Sequence, residues 1–130
     1  MPTTAQPSIH AALSARMNYL TDRQGVIAGN IANADTPEYK PRELAFAPYL
    51  ERAQSDMGVR LTNPKHMAGG ASGASNRLME SASYIQHNGN AVRLDNELVK
   101  MNQTQIDYRY MTQLYAKQAS MQRLAIGRQQ

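Results

Sequence analysis

The sequence predicts a mainly α-helical chain, with long amphipathic helices at both ends that form a coiled-coil-like pair around a short extended or irregular middle segment. Apolar residues recur at alternating three- and four-residue intervals near both termini. Five of the eight glycines lie between these two repeats, where no strong strand period occurs. The 130 residues are one domain's length, so we expect one architecture to account for the whole chain.

The first segment, residues 1–33, contains the N-terminal helix. Ser8 can cap its start, and Thr36 before Pro37 favours extended backbone, so the helix is expected to end near Asn33. Its apolar positions follow a 4,3,4,3,4 spacing that only Gln24 interrupts. The apolar seam consists of Leu13, Met17, Leu20, Ile27 and Ile31. This pattern fits the core face of a small bundle and a contact with another molecule equally well.

A junction and a short helix are predicted over residues 34–60. Asn33 and Asp35 accept turn geometry and bond to nearby backbone, so they hold the chain as it leaves the helix. Pro37 and Pro41 then keep the following extended run short. A short helix is expected within residues 46–57. A simple helix exit would not require so many special residues in succession.

A flexible connector is predicted over residues 61–93, where an Ala/Gly/Ser run occupies positions 68–75. The last segment, residues 94–130, contains a second long helix from about Asp95 to Ile126, which would be about 48 Å long. Its apolar seam slips by three residues after Tyr108. The seam positions include Leu94, Leu98, Met101, Tyr108, Leu114 and Met121.

The chain is poor in core-forming residues. Leu, Ile, Val and Phe supply only 21 of its 130 residues, a fraction below the ~20% typical of self-sufficient cores. The net charge of +4 is too low to make the chain plainly disordered. We therefore expect a protein that is partly ordered alone and completes its core with partners.

The distribution of charge and of reactive residues argues against several functional classes. Basic residues are spread singly along the chain, whereas nucleic-acid-binding proteins gather them on one face, so we expect no nucleic-acid partner. The chain has no cysteine, and its three histidines lie far apart without metal-ligand spacing. No phosphate-binding loop or nucleophile motif occurs. We expect no catalytic, cofactor-binding or metal site and no enzymatic activity.

The N-terminal residues lack the pattern of a cleaved secretory signal, and no apolar run approaches the ~20 residues that span a bilayer. From the residues alone we expect a cytoplasmic protein, unless a route that needs no cleaved signal exports it.

Two runs of sequence carry a resemblance to a known family. NIANADTPEYKPRELAF, residues 30–46, resembles the ANNIANxxTPGY-type motif of the bacterial flagellar axial proteins of the rod and hook, in the version of the proximal rod. HNGNAVRLDNELVKM, residues 87–101, is similar to the GN-x-V-x-(L/M)-D-x-E entry into their C-terminal helix, and the segment 63–66 also fits. The assembly motif carried over consists of Asn30, Ile31, Asn33, Asp35, Thr36, Pro37 and Tyr39.

Glu38 departs from the family pattern, which usually has glycine at this position. If that glycine adopts a positive φ, Glu38 must either accept a strained conformation or reshape the turn.

The resemblance implies a structural subunit of the proximal rod of the flagellar basal body, which polymerises helically through its terminal helices and transmits motor torque. It also implies export into the periplasm through the flagellar type III apparatus without a cleaved signal peptide. The implied partners are copies of this chain, the FliE junction protein and the C-, F- and G-type rod proteins. The alternatives are a C-type proximal rod protein, a soluble coiled-coil adaptor and a basic helical nucleic-acid binder, whose affinity would fall steeply with salt.

Overall fold

A computed structural model of the protein describes residues 8–55, 78–80 and 84–127. In these ranges the elements are α1 (Ile9–Ala32), β1 (Arg42–Leu44), α2 (Ala47–Ser55), β2 (Leu78–Glu80) and α3 (Leu94–Ala125). The predicted mainly α-helical fold with long terminal helices is confirmed. The two short strands pair antiparallel, with Glu43 opposite Met79, and the sequence did not predict this pairing.

Local side-chain bonds fix both ends of α1. The Ser8 hydroxyl accepts a hydrogen bond from the backbone N–H of Ala11, which confirms the predicted cap. At the other end, the backbone N–H and the side-chain amide of Asn33 both donate to the Gly29 carbonyl oxygen, at 3.2 and 2.8 Å. The helix therefore ends one residue before Asn33, with one of its last carbonyl groups satisfied by that residue.

The long helices α1 and α3 pack antiparallel. The cross-helix contacts that show this direction are Asn30 with Glu97, Arg16 with Asp107, and His10 with Tyr115. Because α1 begins at Ile9 while α3 continues to Ala125, α3 runs about ten residues, roughly 15 Å, beyond the helix it packs against.

A small aromatic core joins α1 to β1 and α2. The Tyr19 ring meets the rings of Phe46 and Tyr49 edge-on, with centroids 5.3 and 5.5 Å apart, and its hydroxyl donates to the Leu44 carbonyl oxygen. The Arg16 guanidinium lies 4.8 Å from the centre of the Phe46 ring. The buried members of this core are Ala15, Tyr19, Leu20, Leu44 and Tyr49. Its modest size agrees with the low content of branched apolar residues.

Most of the predicted connector lies outside the described residues, including the Ala/Gly/Ser run 68–75 and the segment 63–66. Among the helices that the structure describes, none is long and apolar enough to cross a membrane.

Candidate assembly site

Asn30, in the last turn of α1, joins three elements through one buried amide. It is 1% exposed, and its amide nitrogen donates to the Arg42 carbonyl oxygen at 2.9 Å and to the Glu97 carboxylate at 3.0 Å. Its amide oxygen accepts from the backbone N–H of Arg42 at 3.0 Å and from the Tyr39 hydroxyl at 3.3 Å. Both donors and both acceptor positions are thus used. This satisfied amide fixes β1 and the start of α3 against the end of α1.

Asn90 holds the turn that follows α1. It is completely buried, and its amide nitrogen donates to the carbonyl oxygens of Asn33 and Thr36, at 3.0 and 2.7 Å. Its amide oxygen accepts the backbone N–H of Val92 at 2.7 Å. Sequence reasoning did not select Asn90 as a site residue, although it lies in the GN-x-V motif before α3. That motif is the sequence signal from which Asn90 could have been identified.

Glu38 adopts the left-handed conformation, with φ of 60°. We expected Glu38 either to accept a strained conformation or to reshape the turn, and the structure shows the strained conformation. The Glu38 N–H donates to the Asn88 carbonyl oxygen, and the Tyr39 carbonyl accepts from Ala91, so the backbone on both sides fixes this conformation. Gly89 lies close to Glu38. A Cβ added at Gly89 would lie 3.3 Å from the Glu38 Cα, so a larger residue would have little room there.

A charge cluster with one buried carboxylate, that of Glu97, lies beside Asn30. The Glu97 carboxylate, in a residue that is 3% exposed, is 3.0 Å from Lys100 Nζ, which also lies 2.6 Å from Glu43 Oε1. Burial by itself lowers the pKa of Lys100, but hydrogen bonds to Glu43 and Glu97 and their charges outweigh it, so this pKa is raised. Lys100 stays charged at neutral pH and links β1 to α3.

The residues of the predicted assembly motif divide into an inner and an outer group. Asn30 is buried, and Ile31, Asn33 and Tyr39 are half-buried. The exposed members are Asp35, Thr36 and Pro37. The inner group holds the turn, while the outer group stays available at the surface. The described contacts leave the assembly role of the motif as a prediction.

The predicted seams differ in their burial. On α1, Leu20 and Ile27 are buried, and Leu13, Met17 and Ile31 are half-buried. The seam positions of α3 comprise Met101 and Leu114, which are half-buried, and Leu94, Leu98, Tyr108 and Met121, which are exposed.

Polar residues take much of the α3 face that packs against α1. Glu97 and Thr104 are buried there. The Glu97 carboxylate accepts hydrogen bonds from Asn30 and Lys100. The Thr104 hydroxyl donates to the Lys100 carbonyl oxygen of its own helix. Sequence reasoning selected neither as a site residue, although Glu97 closes the GN-x-V-x-(L/M)-D-x-E motif, because the apolar spacing that defined the seam carries no signal for buried polar side chains.

A second set of apolar side chains on α3 is exposed to solvent. These residues recur at helical spacing along one side of the helix and are all exposed. This outer stripe consists of Val99, Ile106, Tyr110, Met121 and Leu124, and Met121 is also one of the predicted seam positions. In the described part of the chain, no three histidine or carboxylate side chains form a group that would hold a metal ion.

Comparison with known proteins identifies the family. The model of the flagella basal body rod protein family matches residues 11–40, which cover most of α1 and the turn built around Asn33 and Asn90. The flagellar basal body rod protein FlgB of Borreliella burgdorferi is 32% identical over 110 residues, covering 77% of this chain and 82% of the relative. The chain belongs to the FlgB family of flagellar basal body rod proteins. FlgB of Bacillus subtilis is 33% identical over 92 residues, or 70% of this chain and 71% of the relative.

A more divergent relative extends the similarity, for FlgB of Agrobacterium fabrum is 28% identical over 116 residues, 83% of this chain and 85% of its own. The predicted family is thus confirmed, and FlgB membership decides between the B-type and C-type rod proteins. As a member of the FlgB family, this chain is a structural subunit of the flagellar basal body rod.

Proposed function

We propose that this chain polymerises helically with other rod subunits through its terminal helices, and that the resulting rod transmits motor torque. The outer stripe of α3 is the observation that carries the proposal. It places five large apolar side chains in water along one side of the helix. A chain with so small a core gains most from burying such a stripe against neighbouring subunits.

The antiparallel helical hairpin suits a helical polymer. A contact between unlike surfaces of successive subunits extends into a filament when the rotation between subunits does not close a ring. The inner and outer faces of α3 then serve different purposes, because one packs on α1 of the same chain and the other meets a neighbour. The buried bonds of Asn30 and Asn90 hold the hairpin end rigid under load.

The exposed part of the assembly motif is the second contact in this proposal. Asp35, Thr36 and Pro37 project from a turn whose backbone is held by Asn90, so they present a fixed surface to a neighbour. Replacing Pro37 or Asn33 with alanine is expected to weaken rod assembly while leaving the helicity of the isolated chain nearly unchanged. Circular dichroism and a swimming assay measure the two effects, and normal motility in both variants would contradict this role.

Location and partners are part of the same proposal and are supported by membership of the family. We propose that the chain reaches the periplasm through the flagellar type III export apparatus without a cleaved signal peptide. There it meets copies of itself, the FliE junction protein on the membrane-ring side, and the C-, F- and G-type rod proteins. The role is structural, with no catalysis, cofactor or nucleic acid, and family membership supports it over a soluble adaptor.

Electron microscopy of basal bodies from a strain lacking the gene, together with a swimming assay, tests this function. We expect rods to be missing above an intact membrane ring and to return with the wild-type gene. Complete rods and normal swimming in the deletion strain would overturn the proposal.

A further inference from the structure

An open groove of about 530 Å³ lies at the end of the hairpin where α1 stops and α3 starts. Its lining combines apolar and acidic side chains from three stretches of the chain that the Asn90 bonds hold together. The residues that matter here are Asp35, Tyr84, Val92, Leu94 and Asp95. Tyr84 is 51% exposed and Leu94 46%, so the groove offers unfilled apolar surface.

The groove is also acidic. Asp35 is exposed, and the Asp95 carboxylate accepts a hydrogen bond from the Asn96 backbone N–H, which lowers its pKa and keeps it anionic. Arg93 also lines the groove, with its guanidinium 5.7 Å from the centre of the Tyr84 ring and its Nη2 3.1 Å from Asp95 Oδ2, so it offsets one of the two negative charges and the lining keeps a net negative charge at Asp35. The groove therefore suits an apolar segment that carries a positive charge.

The far end of the same molecule has these properties. The last turns of α3 run beyond the start of α1 and leave Leu124 and Ile126 71% and 82% exposed. Arg123 directly precedes Leu124, and no aspartate or glutamate follows Asp107 in the chain. This helix end is thus both apolar and basic.

We propose that the groove receives the C-terminal end of α3 from another copy of this chain, so that successive subunits join head to tail. Leu124 and Ile126 pack against Tyr84 and Leu94, and Arg123 meets Asp35. The two surfaces lie at opposite ends of an antiparallel hairpin, so the contact joins unlike surfaces and can repeat from one subunit to the next, as a helical polymer requires. The inference rests on the proposed polymerisation and deepens it by naming the surfaces that meet.

Engineered disulfides test the contact directly, because the chain has no cysteine of its own. A full-length chain carrying both Asp35→Cys and Arg123→Cys is expressed in place of the wild type, and isolated basal bodies are oxidised. We expect covalent dimers and longer ladders of this chain. The matched control replaces Arg123→Cys with Gln113→Cys, an exposed position in the middle of α3, and should give no ladder.

The outcomes distinguish failure of the head-to-tail contact from failure of the proposed rod function. Basal bodies that contain the substituted chain but yield no ladder, an equal ladder in the control, or a cross-link to a different protein would overturn the head-to-tail contact and leave the rod subunit in place. Absence of the wild-type chain from basal bodies would instead overturn the proposed function.

Charge reversal tests the contact between Asp35 and Arg123 if the chain with the cysteine pair does not enter the basal body. Asp35→Lys and Arg123→Glu should each weaken self-association of the purified chain about two- to five-fold, as expected for an exposed ion pair. The double variant should regain it, measured by sedimentation, with circular dichroism confirming that all three variants fold. A double variant no better than the singles would refute the pairing.

Discussion

Replacing Asn30 with alanine removes the amide that joins α1, β1 and α3. Its two bonds to the Arg42 backbone contribute about 1 kcal/mol each, and its bond to the charged Glu97 about 1.5–3 kcal/mol. The bond from Tyr39, at 3.3 Å, adds little. After the change, the buried Glu97 carboxylate keeps only Lys100 as a partner among the described contacts. We therefore expect the free energy of unfolding to fall by about 3–5 kcal/mol, because the losses are not fully additive.

Urea unfolding followed by circular dichroism measures this loss. With a slope of about 1–3 kcal/mol per molar urea, the midpoint should fall by roughly 2 M. Asn18→Ala is the matched control, since Asn18 is exposed on the same helix, and its effect should stay within about 0.5 kcal/mol. An Asn30→Ala chain as stable as this control would refute the reasoning, because the buried network would then contribute nothing to holding the junction.

Three further changes follow from the structure. Glu38→Gly removes the left-handed strain at φ of 60° and should raise the free energy of unfolding by about 1 kcal/mol in urea, whereas a decrease would show that the Glu38 side chain stabilises the turn. Burial, reinforced by a hydrogen bond to Asp22, raises the pKa of Tyr49 to about 12. This raised pKa stabilises the folded protein fully below the unfolded pKa of about 10, and the stabilisation is lost as pH rises to about 12. The free energy of unfolding should therefore fall less steeply with pH over that range in Tyr49→Phe than in the wild type, and equal slopes in the two proteins would contradict this. His10 Nε2 is buried without a hydrogen-bond partner among the described residues, so His10→Phe, which keeps the edge contact with Tyr115, should raise the thermal midpoint, and a lower midpoint would reveal a partner for that nitrogen.

The sequence was informative where the determinants are local. The Ser8 cap, the exit at Asn33 and the helical period of α1 involve residues within one or two turns of each other, so α1 was predicted to within a residue of its ends. The same holds for the body of α3. The strand pair was not predicted, because three-residue strands are too short to show a period and their pairing joins distant parts of the chain.

The site was only partly predictable for a related reason. Asn30 and Glu97 each belong to a recognised motif, but they lie 67 positions apart in sequence, and neither motif shows that the two side chains meet. Burial of Glu97 depends on Asn30 and Lys100 together, and an apolar period carries no signal for a buried polar pair. The face of α3 that packs on α1 therefore contains residues that sequence reasoning placed outside the seam, while Leu94 and Leu98 stay exposed.

Burial of the outer stripe by neighbouring subunits is the claim on which the proposed assembly depends most. A single cysteine at Ile106, which is 66% exposed, reports it through its rate of maleimide labelling. We expect rapid labelling in the purified chain, strong protection in isolated basal bodies, and full labelling again once those basal bodies are dissociated. Equal labelling in the free chain and the intact basal body would show that the stripe faces solvent in the rod, and polymerisation through this face of α3 would be wrong.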